Sequence, residues 1–168
     1  MSEYILHTVD VFDFLTNYRG EPFHAVLTDP PYGVGIGKQK WDGENPAWQP
    51  EFWRALMPHL LPNALVFAFG SARTYHYLAS AAESGGFIIH NMMAFAYSNG
   101  LLKGASITQD NANEWWGYRY SVNPLKPAVE PILVCSKPPE RSARYSIQRY
   151  GAGALNIKRA AIPSATPV

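Results

Sequence analysis

The tetrapeptide Asp29-Pro30-Pro31-Tyr32 sets three kinds of chemistry side by side. Asp29 offers a carboxylate that accepts hydrogen bonds. Pro30 and Pro31 have no N–H and a nearly fixed φ, so this segment is stiff and rich in carbonyl acceptors. Tyr32 adds a flat ring. Two acceptors beside a stacking surface match a nucleobase drawn out of its stack. The exocyclic amino group of such a base carries two in-plane N–H donors, and its face takes an aromatic ring. A rigid turn with a capping Asp and a packed Tyr is the plain alternative. The position directly after the apolar run 23–28 favours the first reading.

The glycines that follow, Gly33, Gly35 and Gly37, do not make a phosphate loop. G-x-G-x-x-G fails because position 38 is Lys, and G-x-x-x-x-G-K-[ST] fails because position 32 is Tyr and Gln39 follows Lys38. They suit flexibility or close backbone approach.

The elements around the loop read as alternating strands and helices. Residues 4–9 read as a strand and 10–17 as a helix. Residues 23–28 read as a second strand. Trp48, Phe52, Trp53, Leu56, Met57 and Leu60 recur at helical spacing, which predicts a helix over 46–61. Residues 63–70 form an uninterrupted apolar run of strand length, as in a sheet covered on both faces. Ser71 reads as the N-cap of a helix over 72–84, which Gly85-Gly86 stops. Strands follow at 87–97 and 130–137, with an irregular stretch rich in Gly, Asn, Ser and aromatics over 98–127. This order predicts an α/β sheet with right-handed crossovers. Ligands of such sheets bind beyond the carboxyl ends of the strands, where the Asp29 loop lies.

With 168 residues, 47% apolar and 16% charged, the chain has the composition of one globular domain. Its net charge of +1 neither requires nor excludes a nucleic acid. Lys137, Arg141, Arg144, Arg149, Lys158 and Arg159 face Glu140 alone over 137–159. That stretch is either a phosphate-binding tail or a solvated one. The lone Cys135 excludes an internal disulfide and fits a reducing compartment. No metal-ligand spacing is present, and no apolar run approaches the roughly 20 residues of a membrane helix. Trp115, Trp116, Tyr118 and Tyr120 interleave with Arg119, a pattern suited either to DNA contact or to covering a sheet edge. Lys38, Lys40 and Trp41 either close over a base or sit in an exposed loop. Glu130 and its prolines read as a strand entry.

Several of these segments, in order, resemble the amino-group DNA methyltransferases, which methylate adenine N6 or cytosine N4. D-P-P-Y is similar to the catalytic motif of that family. G-K-Q-K-W-D-G (37–43), L-V-F-A-F-G-S-A-R-T-Y-H-Y-L-A-S-A-A-E-S-G-G-F (65–87), L-K-P-A-V-E-P-I-L-V-C-S-K-P (125–138) and G-A-G-A-L-N-I (151–157) are similar to later segments of bacterial and phage members. The resemblance implies a Rossmann-like S-adenosylmethionine-dependent methyltransferase sheet with helices on both faces. Residues 1–137 would form the catalytic region and 138–168 a basic, loop-rich tail. It implies direct methyl transfer to a flipped base, with adenine N6 preferred to cytosine N4. The Asp29 carboxylate and the Pro30 carbonyl would hold the amino group, Tyr32 would stack on the base, and Pro31 would complete the rigid loop. Asp29 and Pro30 would also border the cofactor, while Lys38, Trp41 and Arg119 would touch DNA.

One family feature is missing. The Gly-rich F-x-G-x-G turn that binds S-adenosylmethionine has no counterpart: residues 69–73 carry Ala72 at its second glycine, and no apolar strand precedes the G-x-G of 150–154. The order fits a permuted arrangement in which the catalytic motif comes first and the cofactor half last, and the chain stops before that half. The expectation is a catalytic half that pairs with a second chain or forms a homo-oligomer, in the cytoplasm, bacterial or phage-encoded, within a modification system. A DNA-binding protein without chemistry, or an inactive remnant of a methyltransferase, is the alternative.

Overall fold

Two facts of local chemistry decide where the main strands lie. The 60–69 segment is apolar at almost every position, and the 129–136 segment is buried from Pro131 to Ser136. Each therefore needs neighbours on both edges and cover on its faces. In the computed structural model, which describes residues 4–34, 45–98, 104–121 and 129–162, they are the two central strands of a four-stranded sheet. The strands are β1 (Phe23–Thr28), β2 (Leu60–Phe69), β3 (Ile88–Ala96) and β6 (Val129–Ser136), in the order β1-β2-β6-β3. β1 runs parallel to β2, whereas β6 is antiparallel to both β2 and β3. The sheet is mixed, and the crossover reading applies only to the β1–β2 connection. Two short strands, β4 (Ala105–Ser106) and β5 (Arg119–Tyr120), pair separately in the stretch expected to be irregular.

Helices flank the sheet. α1 (Val11–Asn17) starts at Asp10, whose carboxylate caps the Phe12 N–H at 2.8 Å. The helix expected over 46–61 is three pieces: a 3-10 turn over Pro46–Trp48, α2 (Pro50–Leu56) and a second 3-10 turn over Met57–His59. Pro50 and Pro58 explain the division, because each lacks the N–H that a continuous helix needs from its interior. α3 (Tyr75–Ser84) begins later than expected. The Ser71 carbonyl takes the Thr74 and Tyr75 N–H groups in a tight turn, so Thr74 holds the cap position. Residues 4–9 form no strand. Tyr4, Ile5 and Leu6 are exposed, and no neighbouring strand pairs with them among the described residues.

One face of the sheet carries Val26, Val66, Cys135 and Ile89 on one cross-strand rung, with Ala68 and Leu133 on the next. These residues pack with Phe52, Trp53 and Leu56 of α2 and Leu78, Ala81 and Ala82 of α3. The alanines leave room for the fully buried Trp53, whose indole N–H donates to the Ala47 carbonyl at 2.9 Å. On the opposite face Leu27 is 73% exposed, and Met93 and Phe95 are also exposed.

The basic stretch after β6 carries α4 (Ala143–Tyr150) and α5 (Ile157–Ala160). α4 packs against β2, Ser146 is fully buried, and Ala152 joins the core. The contact depends on Gly153. A Cβ there would lie 2.3 Å from the Asn63 carbonyl oxygen. Asn63 itself sits at φ 68 where β2 detours between its pairings Leu60–Phe23 and Leu65–Ala25.

Cys135 is fully buried, and burial pushes its thiol up to about 12. The native protein at mildly alkaline pH is expected to leave Ellman's reagent unreacted under conditions in which the urea-unfolded chain reacts fully. Because the folded thiol ionises later than an exposed one, this residue's contribution to stability is complete below its ordinary value of 9.0 and is lost as pH rises towards 12. Urea melts across that range should show a shallower alkaline fall for Cys135→Ala than for the parent chain.

Candidate active site

The sheet brings four strand ends to one edge. Thr28 at the end of β1 pairs with Ala68, and Phe69 at the end of β2 pairs with Ile132 near the start of β6. Glu130 on β6 pairs with Phe95, and Ala96 ends β3 opposite Val129. The residues just beyond these ends therefore converge: Asp29 to Tyr32, Gly70 and Ser71, Glu130, and Tyr97. Their sequence separations reach 98 positions between Tyr32 and Glu130.

The Asp29 loop is held by its carbonyls. The Asn45 side-chain amide donates to the Pro31 carbonyl, and Asn45 is itself buried. The Thr74 hydroxyl donates to the Tyr32 carbonyl at 2.9 Å. Prolines remove N–H donors from the loop, so the remaining anchor points are acceptors, and buried donors on the 3-10 turn and α3 sides meet them. No described group donates to the Pro30 carbonyl, which leaves that acceptor open. Gly33 then turns the chain at φ 62, under the Trp48 ring. A Cβ on Gly33 would lie 1.9 Å from Trp48 Cη2, so both the backbone angle and the space require glycine.

The Tyr32 hydroxyl reaches into a pair of carboxylates. It donates to Glu130 Oε2 at 3.4 Å, and the Tyr97 hydroxyl donates to the same oxygen at 2.8 Å. Burial raises the Tyr32 phenol far above its ordinary value; hydrogen bonding to Asp29 and the charges of Asp29 and Glu130 add to the rise. The Tyr97 phenol is raised mainly by its hydrogen bond to Glu130. Both phenols thus remain protonated donors at neutral pH. Among the described residues the one ion pair is Arg54–Glu51 on the surface of α2, so neither site carboxylate has a cationic partner there. The arrangement can accept hydrogen bonds from an amino group, stabilise positive charge, and offer an aromatic face. It holds no group of three or more His, Cys, Asp or Glu residues placed for a metal among the described residues.

Of the residues expected to act, Asp29, Pro30, Pro31 and Tyr32 lie together at this edge. Lys38 and Trp41 lie outside the described residues, as do Asn99 and Lys103. Arg119 is on β5, exposed, with one guanidinium N–H on the Gly104 carbonyl at 3.1 Å. Trp115, Trp116, Tyr118 and Tyr120 are exposed around it. Glu130 is more than a strand entry: its carboxylate belongs to the site. Tyr97, Asn45 and Thr74 escaped the sequence reading. A charge at the mouth of the apolar run 131–135 was the available signal for Glu130.

A family model described as DNA methylase, of the N6/N4 methyltransferase kind, matches residues 23–161. No curated protein matches the sequence significantly. Among solved structures, M1.HpyAVI has 18% identity and a TM-score of 0.50 over 79% of this chain and 54% of that one. Its complex with SAM gives 19% identity and 0.49, over 79% and 52%. TTHA0409 of Thermus thermophilus gives 14% and 0.48, over 83% and 56%. The likeness to M1.HpyAVI shows the fold, a mixed α/β sheet of Rossmann-like kind flanked by helices. The chain spans about half the length of the solved structures it matches.

The Gly33–Trp48 contact is expected to govern the loop. Gly33→Ala should lower unfolding free energy by about 1–3 kcal/mol, from backbone strain and overpacking together. Urea denaturation followed by tryptophan fluorescence measures it; a variant as stable as the parent chain would mean that the loop is not seated on Trp48.

Proposed function

The chain belongs to this DNA methylase family, and from that premise we propose that it methylates the exocyclic amino group of a base flipped out of DNA. The preferred target is adenine N6, on the spelling D-P-P-Y, and cytosine N4 requires the same chemistry. The observation that carries the reading is the position of Asp29-Pro30-Pro31-Tyr32. The loop is pinned by its Pro31 and Tyr32 carbonyls; the Asp29 carboxylate, which the Tyr32 hydroxyl also reaches, keeps lone pairs beside the Pro30 carbonyl to accept from a ligand. Those two acceptors would take the two amino N–H bonds and turn the nitrogen lone pair towards the methyl group. Tyr32 would support the face of the base. Asp29 and Glu130 would stabilise the positive charge that grows on nitrogen, so the contribution of the loop is positioning and electrostatics.

S-adenosylmethionine supplies the methyl group when bound. The described residues fit its reacting end, since Asp29, Glu130 and the Pro30 carbonyl oppose a positive sulfonium with negative or dipolar oxygens. They do not provide the Gly-rich cradle for the rest of the molecule. We assign that cradle to a cofactor-binding half that lies outside these residues. Among the described residues β1 is an edge strand with an unpaired outer side. Beside it lies an apolar groove of about 340 Å³ lined by Phe14, Phe23, Val26, Leu27, Phe52 and Leu56, among others. An added strand would find hydrogen-bonding groups and apolar surface there. We place the activity in the cytoplasm of a bacterial cell, in a host or phage modification system; no helix among the described residues is long and apolar enough to cross a membrane.

A DNA-binding role without chemistry is the second reading, and the exposed Trp115, Trp116, Tyr118 and Tyr120 around Arg119 favour it. The two readings part at Asp29. Transfer of labelled methyl from S-adenosylmethionine to unmethylated DNA is expected to fall at least about 100-fold in Asp29→Ala. DNA retention at low salt should be little changed. Unchanged transfer would remove Asp29 from the chemistry, whereas salt-sensitive DNA binding with no transfer by the parent chain even when a cofactor-binding half is supplied would favour the second reading.

A further inference from the structure

We propose that Glu130 is a positioning residue of this site: it receives the Tyr32 hydroxyl and so releases the Asp29 carboxylate to the amino group of the base. The inference rests on the reading of Asp29 and Tyr32 given above. Tyr32 has one hydroxyl proton, which serves one carboxylate at a time. Asp29 and Glu130 both act on that hydroxyl. A phenol donating to Asp29 would draw on the negative charge that the amino nitrogen needs. A phenol donating to Glu130 leaves that charge in place and ties the far end of the ring to a strand.

Glu130 is built for this part. Its backbone pairs with Phe95 on β3, and the next residue, the buried Pro131, accepts the Gly70 N–H at 3.0 Å. Tyr97 lies two positions beyond Phe95, on the same side of β3 by strand alternation, and holds Glu130 Oε2 at 2.8 Å. That oxygen has lone pairs for both phenols. A guanidinium in place of the phenols would neutralise the carboxylate; two hydroxyls orient it and leave its charge intact. Among the described residues no cation competes for it.

A double-mutant cycle with two readouts tests the proposal. Methyl transfer to unmethylated genomic DNA, with a cofactor-binding half supplied, is measured for the full chain and for E130Q, Y32F, E130Q/Y32F and D29A. The Tyr32 phenol is titrated by carbon-13 NMR in the parent chain, E130Q and D29A. E130Q is expected to lower kcat about 10-fold while KM for DNA moves less than about threefold. In the Y32F background the same change should cost less than about twofold more. E130Q should lower the titration of the Tyr32 phenol, because the charge of Glu130 and its hold on the hydroxyl are gone. Losses that multiply, together with a Tyr32 phenol that E130Q does not move, would overturn the coupling. Y97F removes the Tyr97 hydroxyl from Glu130 and should give a partial loss of kcat; it carries the test if E130Q does not fold, and a full rate in Y97F then counts against the proposal. D29A addresses the parent reading by itself. If D29A transfers methyl as the parent chain does, or the parent chain transfers none even with a cofactor-binding half supplied, that reading fails, and the Tyr32 titration still decides whether Glu130 holds the Tyr32 hydroxyl.

Discussion

β2 runs parallel to one neighbour and antiparallel to the other, and that change of direction decides which residues meet. In a wholly parallel sheet the strand beside β2 would bring its carboxyl end to the Asp29 edge and carry its first residues to the far side. Because β6 is reversed, its entry, Glu130, arrives beside the exits of β1 and β2. Because β3 is antiparallel to β6, its exit arrives there too and brings Tyr97. Two carboxylates and two phenols are assembled by register alone. A slip of one residue in β6 would turn Glu130 to the opposite face and remove its contact with Tyr97. The near-continuous apolar character of β2 and β6 resists such a slip weakly on its own. The bend at Asn63, seated on Gly153, and the Gly70–Pro131 hydrogen bond supply register marks that apolar packing lacks.

The loop solves a related problem. Two consecutive prolines make a rigid acceptor surface, but they leave few ways to attach it to the protein. Attachment runs through side-chain donors from elsewhere, Asn45 to Pro31 and Thr74 to Tyr32, while the intervening Gly33 packs against Trp48. Both donors sit where a helical element begins. Asn45 precedes the first 3-10 turn and its Oδ1 accepts the Ala47 N–H, and Thr74 stands at the start of α3. Asn45 is thus oriented by its own cap before it reaches the loop, whereas the Thr74 hydroxyl makes no cap and donates to the loop itself. The prolines that divide 46–59 into short pieces belong to the same logic, since an unbroken helix there would carry Asn45 and Trp48 on a different course.

Much of this was legible in the residues. A stiff acceptor loop after an apolar run, strands over 23–28, 63–70, 87–97 and 130–137, and the helix ended by Gly85-Gly86 all follow from local pattern; the second strand begins earlier, at Leu60, where the helix over 46–61 was expected to continue. The losses have physical causes. Residues 4–9 carry strand-forming side chains but find no partner edge, and strand propensity without a partner decides little. The 46–61 periodicity was real, since Phe52, Trp53 and Leu56 are buried, yet missing proline N–H groups cut the helix. The basic stretch after β6 looked free because its charges dominate its composition, while Ser146 and Ala152, small and unremarkable, make its core contacts. Glu130 was visible as an oddity and opaque as a function. Its partners lie 98 and 33 positions away, and only strand direction brings them together.

The phenols decide how the assembled charge behaves. Burial and the two carboxylates hold Tyr32 protonated far above neutral pH, so the cluster keeps a constant set of phenol donors. A histidine in the same place would change charge near neutrality and make the field on the amino nitrogen depend on pH. A lysine or arginine would cancel the field outright. A hydroxyl constrains a carboxylate without neutralising it, which is what the proposed reaction would require: an uncharged amino group held before transfer and a positive nitrogen stabilised during it. The ring attached to that hydroxyl gains a second use at no further cost in ordering. Once its oxygen is tethered to Glu130 and its carbonyl to Thr74, Tyr32 presents a face whose orientation is fixed at both ends, and a flat, immobile face is what a flipped base can stack on.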